Sequence, residues 1–297
     1  MFEYLPMHVA PWGVEIVIYF FLIGTASMVF AVAAGHATFG HVAEPLKNFE
    51  VTGAIIALVL LAAVVPLLIL DISQPWRFLN PILYFRWTSP LSWGSLFLPL
   101  FGLAILGFLY GIYTKHPLIQ RYSAILGTLL ALSMPLYTGL DLMVNHAREL
   151  WANPTIPMLF VVLSITSGAG LVALVQLVLG RLTQPMARQI RFMLAFSTGV
   201  TFWLFLGLVM TMVYGTEEVQ GAFAAINSDF ALEFYGIAFV IGTLVPMVIV
   251  FGPMLHKVMD FGRKPIAVTI AGLCGALGAY VLRDVLIHAG QLAQLYY

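Results

Sequence analysis

Eight runs of predominantly apolar residues dominate this sequence, at roughly 12–36, 51–71, 91–113, 121–145, 155–180, 190–214, 232–256 and 264–290. Each is long enough for a helix to cross a bilayer, which takes about 20 apolar residues. The rest of the chain leaves little to build another fold from: 61% of residues are hydrophobic and 9% charged, outside the range of soluble domains. The expected fold is an all-α integral membrane protein, one polytopic domain of eight transmembrane helices over residues 1–297. Prolines at Pro11, Pro45, Pro75, Pro90, Pro117, Pro154, Pro185 and Pro265 punctuate the boundaries. Only 215–231 is long enough to form a surface element. Phe21-Leu-Ile-Gly-Thr25 is echoed by Phe239-Val-Ile-Gly-Thr243, which would fit two similar four-helix bundles. Met1 to Pro11 lacks a basic start and a small-residue cleavage site, so the first run reads as a retained helix.

Lysine and arginine set the expected orientation, because cytoplasmic loops carry the excess of positive charge. The connections after runs 1, 3, 5 and 7 hold nine (Lys47, Lys115, Arg121, Arg181, Arg188, Arg191, Lys257, Arg263, Lys264), against four on the other side (Arg77, Arg86, Arg148, Arg283). Both termini are therefore expected outside, which is the periplasmic face if the membrane is a bacterial or archaeal cytoplasmic (inner) membrane. Trp12, Trp76, Trp87, Trp93 and Trp151 fall at that outer boundary, as an aromatic belt or as part of a docking surface.

Embedded ionisable groups are expensive and usually face protein or water. Glu15 lies one turn into the first run, Asp71 ends the second, and Asp141 lies about a turn before the end of the fourth. Arg283 and Asp284 sit roughly 10 Å from the end of the eighth. All five fall in the expected outer half. The seven histidines (His8, His36, His41, His116, His146, His256, His288) lie in loops or at helix ends, and Cys274 is the single cysteine. No haem or other metal is therefore expected in this chain, with His36 and His256 the pair to examine. A net charge of zero, without a basic run or a glycine-rich phosphate loop, gives no sign of nucleic acid.

Two functional readings compete. Pro66, Pro135 and Pro246 interrupt runs, as in an ion- or proton-translocating transporter or channel subunit. That reading lacks an ionisable residue at the midplane or in the inner half. A cluster confined to one side instead suits a lipid-soluble quinone, whose two carbonyl oxygens need hydrogen-bond donors and a route for protons to water. Tyr19, Tyr137, Asn145, Arg77 and Arg283 can donate, while Glu15, Asp71, Asp141 and His288 can exchange protons. Plainer roles stay open: Asp71 with Arg77 as a structural pair, Arg283 neutralising Asp71 or Glu15 across the bundle, Tyr19 as a core aromatic.

Several stretches together resemble the membrane subunits of the polysulfide-reductase (NrfD) family. They are Trp12-Gly-Val-Glu-Ile-Val-Ile-Tyr-Phe-Phe-Leu-Ile-Gly24, Asp71 to Phe78, Ser89-Pro-Leu-Ser-Trp-Gly94 and Tyr137-Thr-Gly139 with Arg148 and Trp151-Ala-Asn-Pro154. Further along come Pro157-Met-Leu-Phe160, Ser167-Gly-Ala-Gly170, and Arg283 with His288-Ala-Gly-Gln291. The resemblance covers nearly the whole chain. It implies an eight-helix anchor exchanging electrons between membrane quinone (menaquinone or ubiquinone) and a ferredoxin-like iron–sulfur subunit, usually with a molybdopterin catalytic subunit, on the periplasmic side. It also implies quinone contacts at Tyr137, Tyr19 and Glu15, with Asp71, Arg77 and Arg283 as the surrounding polar network. Asp141 departs from the family, which often has an apolar residue there.

Overall fold

In lipid, backbone N–H and C=O groups have to be satisfied within the segment that carries them, which leaves a long apolar run the α-helix. The computed structural model describes residues 12–71, 77–255 and 261–292 and, at residues 70, 71, 254 and 255, the backbone alone. In chain order the elements are α1 (Val14–Ala33), α2 (Gly35–Phe39), a 3₁₀ run (Gly40–Phe49), α3 (Glu50–Asp71), α4 (Asn80–Leu83), α5 (Pro90–Tyr113), α6 (Pro117–Met143), α7 (Thr155–Val178), α8 (Gln184–Val213) and α9 (Glu217–Asp229). A π-helical run (Leu232–Leu244) then leads into α10 (Val245–Leu255), and α11 (Pro265–Leu292) follows. Among the described residues there is no strand, and eight helices are long and apolar enough to span a membrane. The protein is an all-α integral membrane protein.

Local signals place the helix starts. The Ser89 hydroxyl accepts from the Ser92 amide at 3.4 Å ahead of Pro90, and Thr216 caps α9 through the Val219 amide. Two expectations need correcting. The first run, read to 36, ends as α1 at Ala33, and the connection to the second, read as 37–50 and too short for a surface element, is taken up by α2 and a 3₁₀ run, turning at Gly40 with φ 62°. Pro66 and Pro135 do not interrupt their helices, since α3 and α6 run straight on through them. An interior proline lacks the N–H that would bond the carbonyl one turn back, here that of Ala131, and membrane helices tolerate this loss; the Thr138 hydroxyl donates to the Pro135 carbonyl itself at 2.9 Å.

Helices α1, α3, α5 and α6 pack as one four-helix bundle; α7, α8, α11 and the π-helical run with α10 form the second. The bundles meet where α1 and α6 lie against α7, and α1 against α11. Lipid gives no hydrophobic drive between helices, so close approach of small residues holds them. Gly170 of α7 meets Gly272 of α11 backbone to backbone, and Gly242 meets Gly278 in the same way. The sequence echo does not mark equivalent positions. Phe21–Thr25 is α-helical in the first helix of one bundle, whereas Phe239–Thr243 is π-helical in the third of the other.

Candidate functional site

One end of the molecule is aromatic. Its framework is a lock between the start of α1, the 144–154 connection and the end of α11. The Trp12 amide donates to Gln291 Oε1 at 2.8 Å, and Gln291 Nε2 donates back to the Trp12 carbonyl at 2.9 Å. Trp12 stacks on Trp151 with centroids 5.2 Å apart. The Trp151 indole donates to the Leu286 carbonyl at 2.8 Å, and Arg148 Nη1 donates to the Gly290 carbonyl at 2.6 Å. Arg148 is buried in this lock, its guanidinium 5.0 Å from the Trp151 ring centre.

Just inside the lock, α1 and α6 bring two phenols together. Tyr19 and Tyr137 are 2% and 5% exposed, and their hydroxyls are in direct hydrogen-bond contact. The Tyr137 ring lies against Gly94 of α5, where a Cβ would collide with it. Asp141, one turn beyond Tyr137 on α6, is half-buried and within electrostatic reach of the Tyr19 hydroxyl. Two phenols hold two O–H protons and use one between themselves, so the pair can offer one donor to a third group.

A cleft of about 420 Å³ reaches Tyr137 from the α5–α6 side, lined by Trp87, Trp93, Phe97, Ser133, Leu136 and Leu140 among others. Trp87, Trp93 and Phe97 form its aromatic wall, with successive rings 5.2 and 5.5 Å apart, and Phe85 packs on both tryptophans at 5.4 and 5.1 Å. The Trp93 indole donates to the Trp87 carbonyl at 2.9 Å, which fixes that wall. By sequence, Trp87 and Trp93 belong to an interfacial belt; the signal for a cleft was the i, i+4 spacing of Trp93 and Phe97 at the entry of α5.

Arg283 lies deeper and is fully buried. Nη1 donates to the Ala279 carbonyl at 2.8 Å, and Nη2 donates to the Phe160 carbonyl at 3.0 Å and to Ser164 Oγ at 2.8 Å. Its guanidinium sits 5.0 Å from the centre of the Phe160 ring, and Nε has no partner. Among the described residues no carboxylate lies within ion-pair distance of it, so it does not neutralise Glu15. Its link to the phenols runs through rings, Phe160 to Phe20 at 5.8 Å and Phe20 to Tyr19 at 5.6 Å. Gly24 leaves room for this arrangement, because a Cβ there would meet Ser164 and crowd Arg283.

The remaining candidates stand apart from the phenol pair. Glu15 is exposed, with its carboxylate folded back over Gly13. Asn145 donates to the Asp141 backbone carbonyl at 2.7 Å and so closes the end of α6. His288 pairs locally with Asp284, Nδ1 to Oδ1 at 3.1 Å. Arg77 is exposed. The Asp71 side chain, Trp76 and His256 lie outside the described residues. His36, at the opposite end, is held between Glu44 at 2.9 Å and Glu50 at 2.8 Å.

Over 311 residues the protein is 25% identical to a polysulfide reductase component of Wolinella succinogenes, with 94% of both polypeptides covered. It is 32% identical to a tetrathionate reductase component of Salmonella typhimurium over 157 residues, covering 50% of this protein and 43% of the other. It is 24% identical to an Hdr-like menaquinol oxidoreductase integral membrane subunit of Archaeoglobus fulgidus over 298 residues, covering 95% of this protein and 71% of the other. The family model described as polysulphide reductase, NrfD, matches residues 5–294, and with that span the chain belongs to the NrfD family of membrane subunits.

Proposed function

We propose that this protein is the quinone-reactive membrane subunit of a respiratory oxidoreductase, exchanging electrons between the membrane quinone pool and an iron–sulfur subunit docked on the aromatic, periplasmic end. The observation that carries the reading is the buried Tyr19–Tyr137 hydroxyl pair, one member of which, Tyr137, lines the aromatic cleft. The names of the relatives support it: two belong to reductases and one to a menaquinol oxidoreductase.

The cleft fits the group. Its volume lies within the range of small-molecule sites, about 300–1,000 Å³. Apolar and aromatic walls with few polar atoms suit a planar ring on an isoprenoid tail. A quinone supplies two-electron, two-proton chemistry when bound; side chains supply the rest. Trp93 and Phe97 would pack against the ring. Tyr137, polarised by Tyr19, would donate to a carbonyl oxygen. In this reading Asp141 holds or passes a proton between Tyr19 and the outer aqueous phase, with proton exchange on that side. Arg77 and His288 lie toward that phase, and Glu15 opens onto it.

The purified chain is expected to bind short-chain menaquinone and ubiquinone analogues in isothermal titration. Trp93→Leu should weaken that binding by about five- to tenfold, the worth of an aromatic stacking contact. A wild-type chain that binds neither analogue, or a Trp93→Leu variant that binds both unchanged, would place the quinone elsewhere or nowhere.

A further inference from the structure

The opposite end of the molecule carries a second and larger concavity that the quinone chemistry does not use. It is a cleft of about 1100 Å³ between the start of α8, the end of α10 and the approach to α11, lined by Arg188, Arg191, Arg263, Gln189, Phe192 and Pro253 among others. Its described lining holds three guanidinium groups and no carboxylate. Arg191 lies within electrostatic reach of both Arg188 and Arg263. Like charges are brought together here although nothing in the packing of apolar helices requires it, and each raises the free energy of the others.

Unused hydrogen-bonding capacity accompanies the charge. Arg191 Nε is buried without a partner, and so is Gln189 Oε1, whose amide nitrogen is engaged with the Val42 carbonyl at 2.6 Å. Unsatisfied buried polar groups are few in native structures and call for an explanation. A phosphate oxygen answers the Arg191 donor, and a hydroxyl answers the Gln189 acceptor.

The apolar side of the cleft says where such an anion comes from. Phe192 lies under the Arg188 guanidinium at 5.8 Å, and Phe196, one turn further along α8, continues the same face; they are 48% and 62% exposed. Phosphate on its own would gain nothing from that stripe. A molecule with a phosphate at one end and an acyl chain at the other would lie along it. Basic pockets between helices at the cytoplasmic boundary are the setting in which anionic lipid headgroups are recognised, and the lysine and arginine count places this end there. We infer that this cleft binds the phosphate-bearing headgroup of an anionic phospholipid, with Arg188 and Arg191 on the phosphate, Gln189 accepting from a headgroup hydroxyl, and Phe192 and Phe196 against the acyl chain.

The test uses the full chain, delipidated in mild detergent and titrated with dioleoyl phosphatidylglycerol, dioleoyl phosphatidylcholine or inorganic phosphate, with bound lipid counted by native mass spectrometry. Phosphatidylglycerol should bind at least about tenfold more tightly than phosphatidylcholine. Arg188→Gln combined with Arg191→Gln should weaken it about 25-fold, roughly fivefold per charge, while Arg188→Lys with Arg191→Lys retains most of the affinity. Equal binding of the two lipids by the wild-type chain, or unchanged phosphatidylglycerol binding by the glutamine variant, would overturn the site. Displacement of the lipid by millimolar inorganic phosphate would assign the cleft to the free anion and overturn the lipid. Should the glutamine variant fail to fold, a salt titration of the wild-type chain decides: phosphatidylglycerol binding must fall as salt rises while phosphatidylcholine binding does not, and a salt-independent result refutes the inference.

Discussion

Replacing Tyr137 by phenylalanine is expected to lower quinone-linked turnover of the assembled complex about 100-fold, the lower end of what a positioned proton donor contributes, while dye-linked activity of the soluble subunits stays unchanged. The substitution removes one oxygen and no packing, so the ring still rests on Gly94 and the α5–α6 contact survives. What is lost is the outward donor. Tyr19 is left with a buried hydroxyl whose partner has gone, at a stability penalty of about 1–3 kcal/mol. The pair acts as a unit, so a double-mutant cycle is the sharper measurement. Tyr19→Phe alone should also impair quinone-linked turnover, and the double variant should be little worse than Tyr137→Phe, because removing either phenol breaks the same contact. Additive losses would mean that the two hydroxyls serve separate purposes. Unaffected turnover in Tyr137→Phe would remove the pair from the reaction.

The fold was largely legible because hydropathy reports a solvent, and in a bilayer the solvent leaves helices as the solution to a long apolar run. Helix starts at Pro90 and Thr155 followed from proline placement, whereas the fourth run, read from 121, begins at Pro117. The π-helical run did not, since Leu232–Leu244 has the composition of any membrane helix, and what sets it apart is the path that lets Gly242 approach Gly278. At the site, sequence alone could rank chemistry-bearing residues but not say which spans were neighbours. Tyr19 and Tyr137 meet because α1 and α6 share a bundle, a fact of tertiary packing. Asn145 and His288 were equally plausible by residue type, yet the side chain of each is engaged with the residue four positions before it. The His288–Asp284 pair is legible from its i, i+4 spacing, whereas the bond of Asn145 to a backbone carbonyl is not.

Arg283→Met is expected to leave the protein as stable as before or more so, by up to about 4 kcal/mol in favourable replacements of this kind, while slowing quinone-linked turnover roughly five- to tenfold. The two halves rest on separate observations. A fully buried guanidinium with no carboxylate beside it among the described residues has lost its hydration and regained only two carbonyls, one hydroxyl and the face of Phe160. The Phe160 and Ala279 carbonyls belong to helices, and Ser164 keeps its bond to the Phe160 carbonyl at 2.7 Å, so methionine strands little that was satisfied before. It also fills much of the same volume between α7, α11 and Gly24. A sequence that retains so costly a group at such a position fits a site where stability is exchanged for activity. The guanidinium lies three ring contacts from the Tyr19 hydroxyl, and at that range through a medium of effective dielectric near 20 a unit charge biases a neighbouring proton by about 1 kcal/mol, the source of the expected slowing. Thermal melting of the purified complex and quinone-linked turnover, measured on the same preparation, separate the alternatives. A melting temperature well below wild type would make Arg283 a structural keystone joining α7 to α11. Full turnover at unchanged stability would make its charge idle. Arg283→Lys distinguishes position from charge: it keeps the positive potential but cannot fork to Phe160, Ser164 and Ala279 at once, so it should hold turnover closer to wild type than methionine does and melt lower than either.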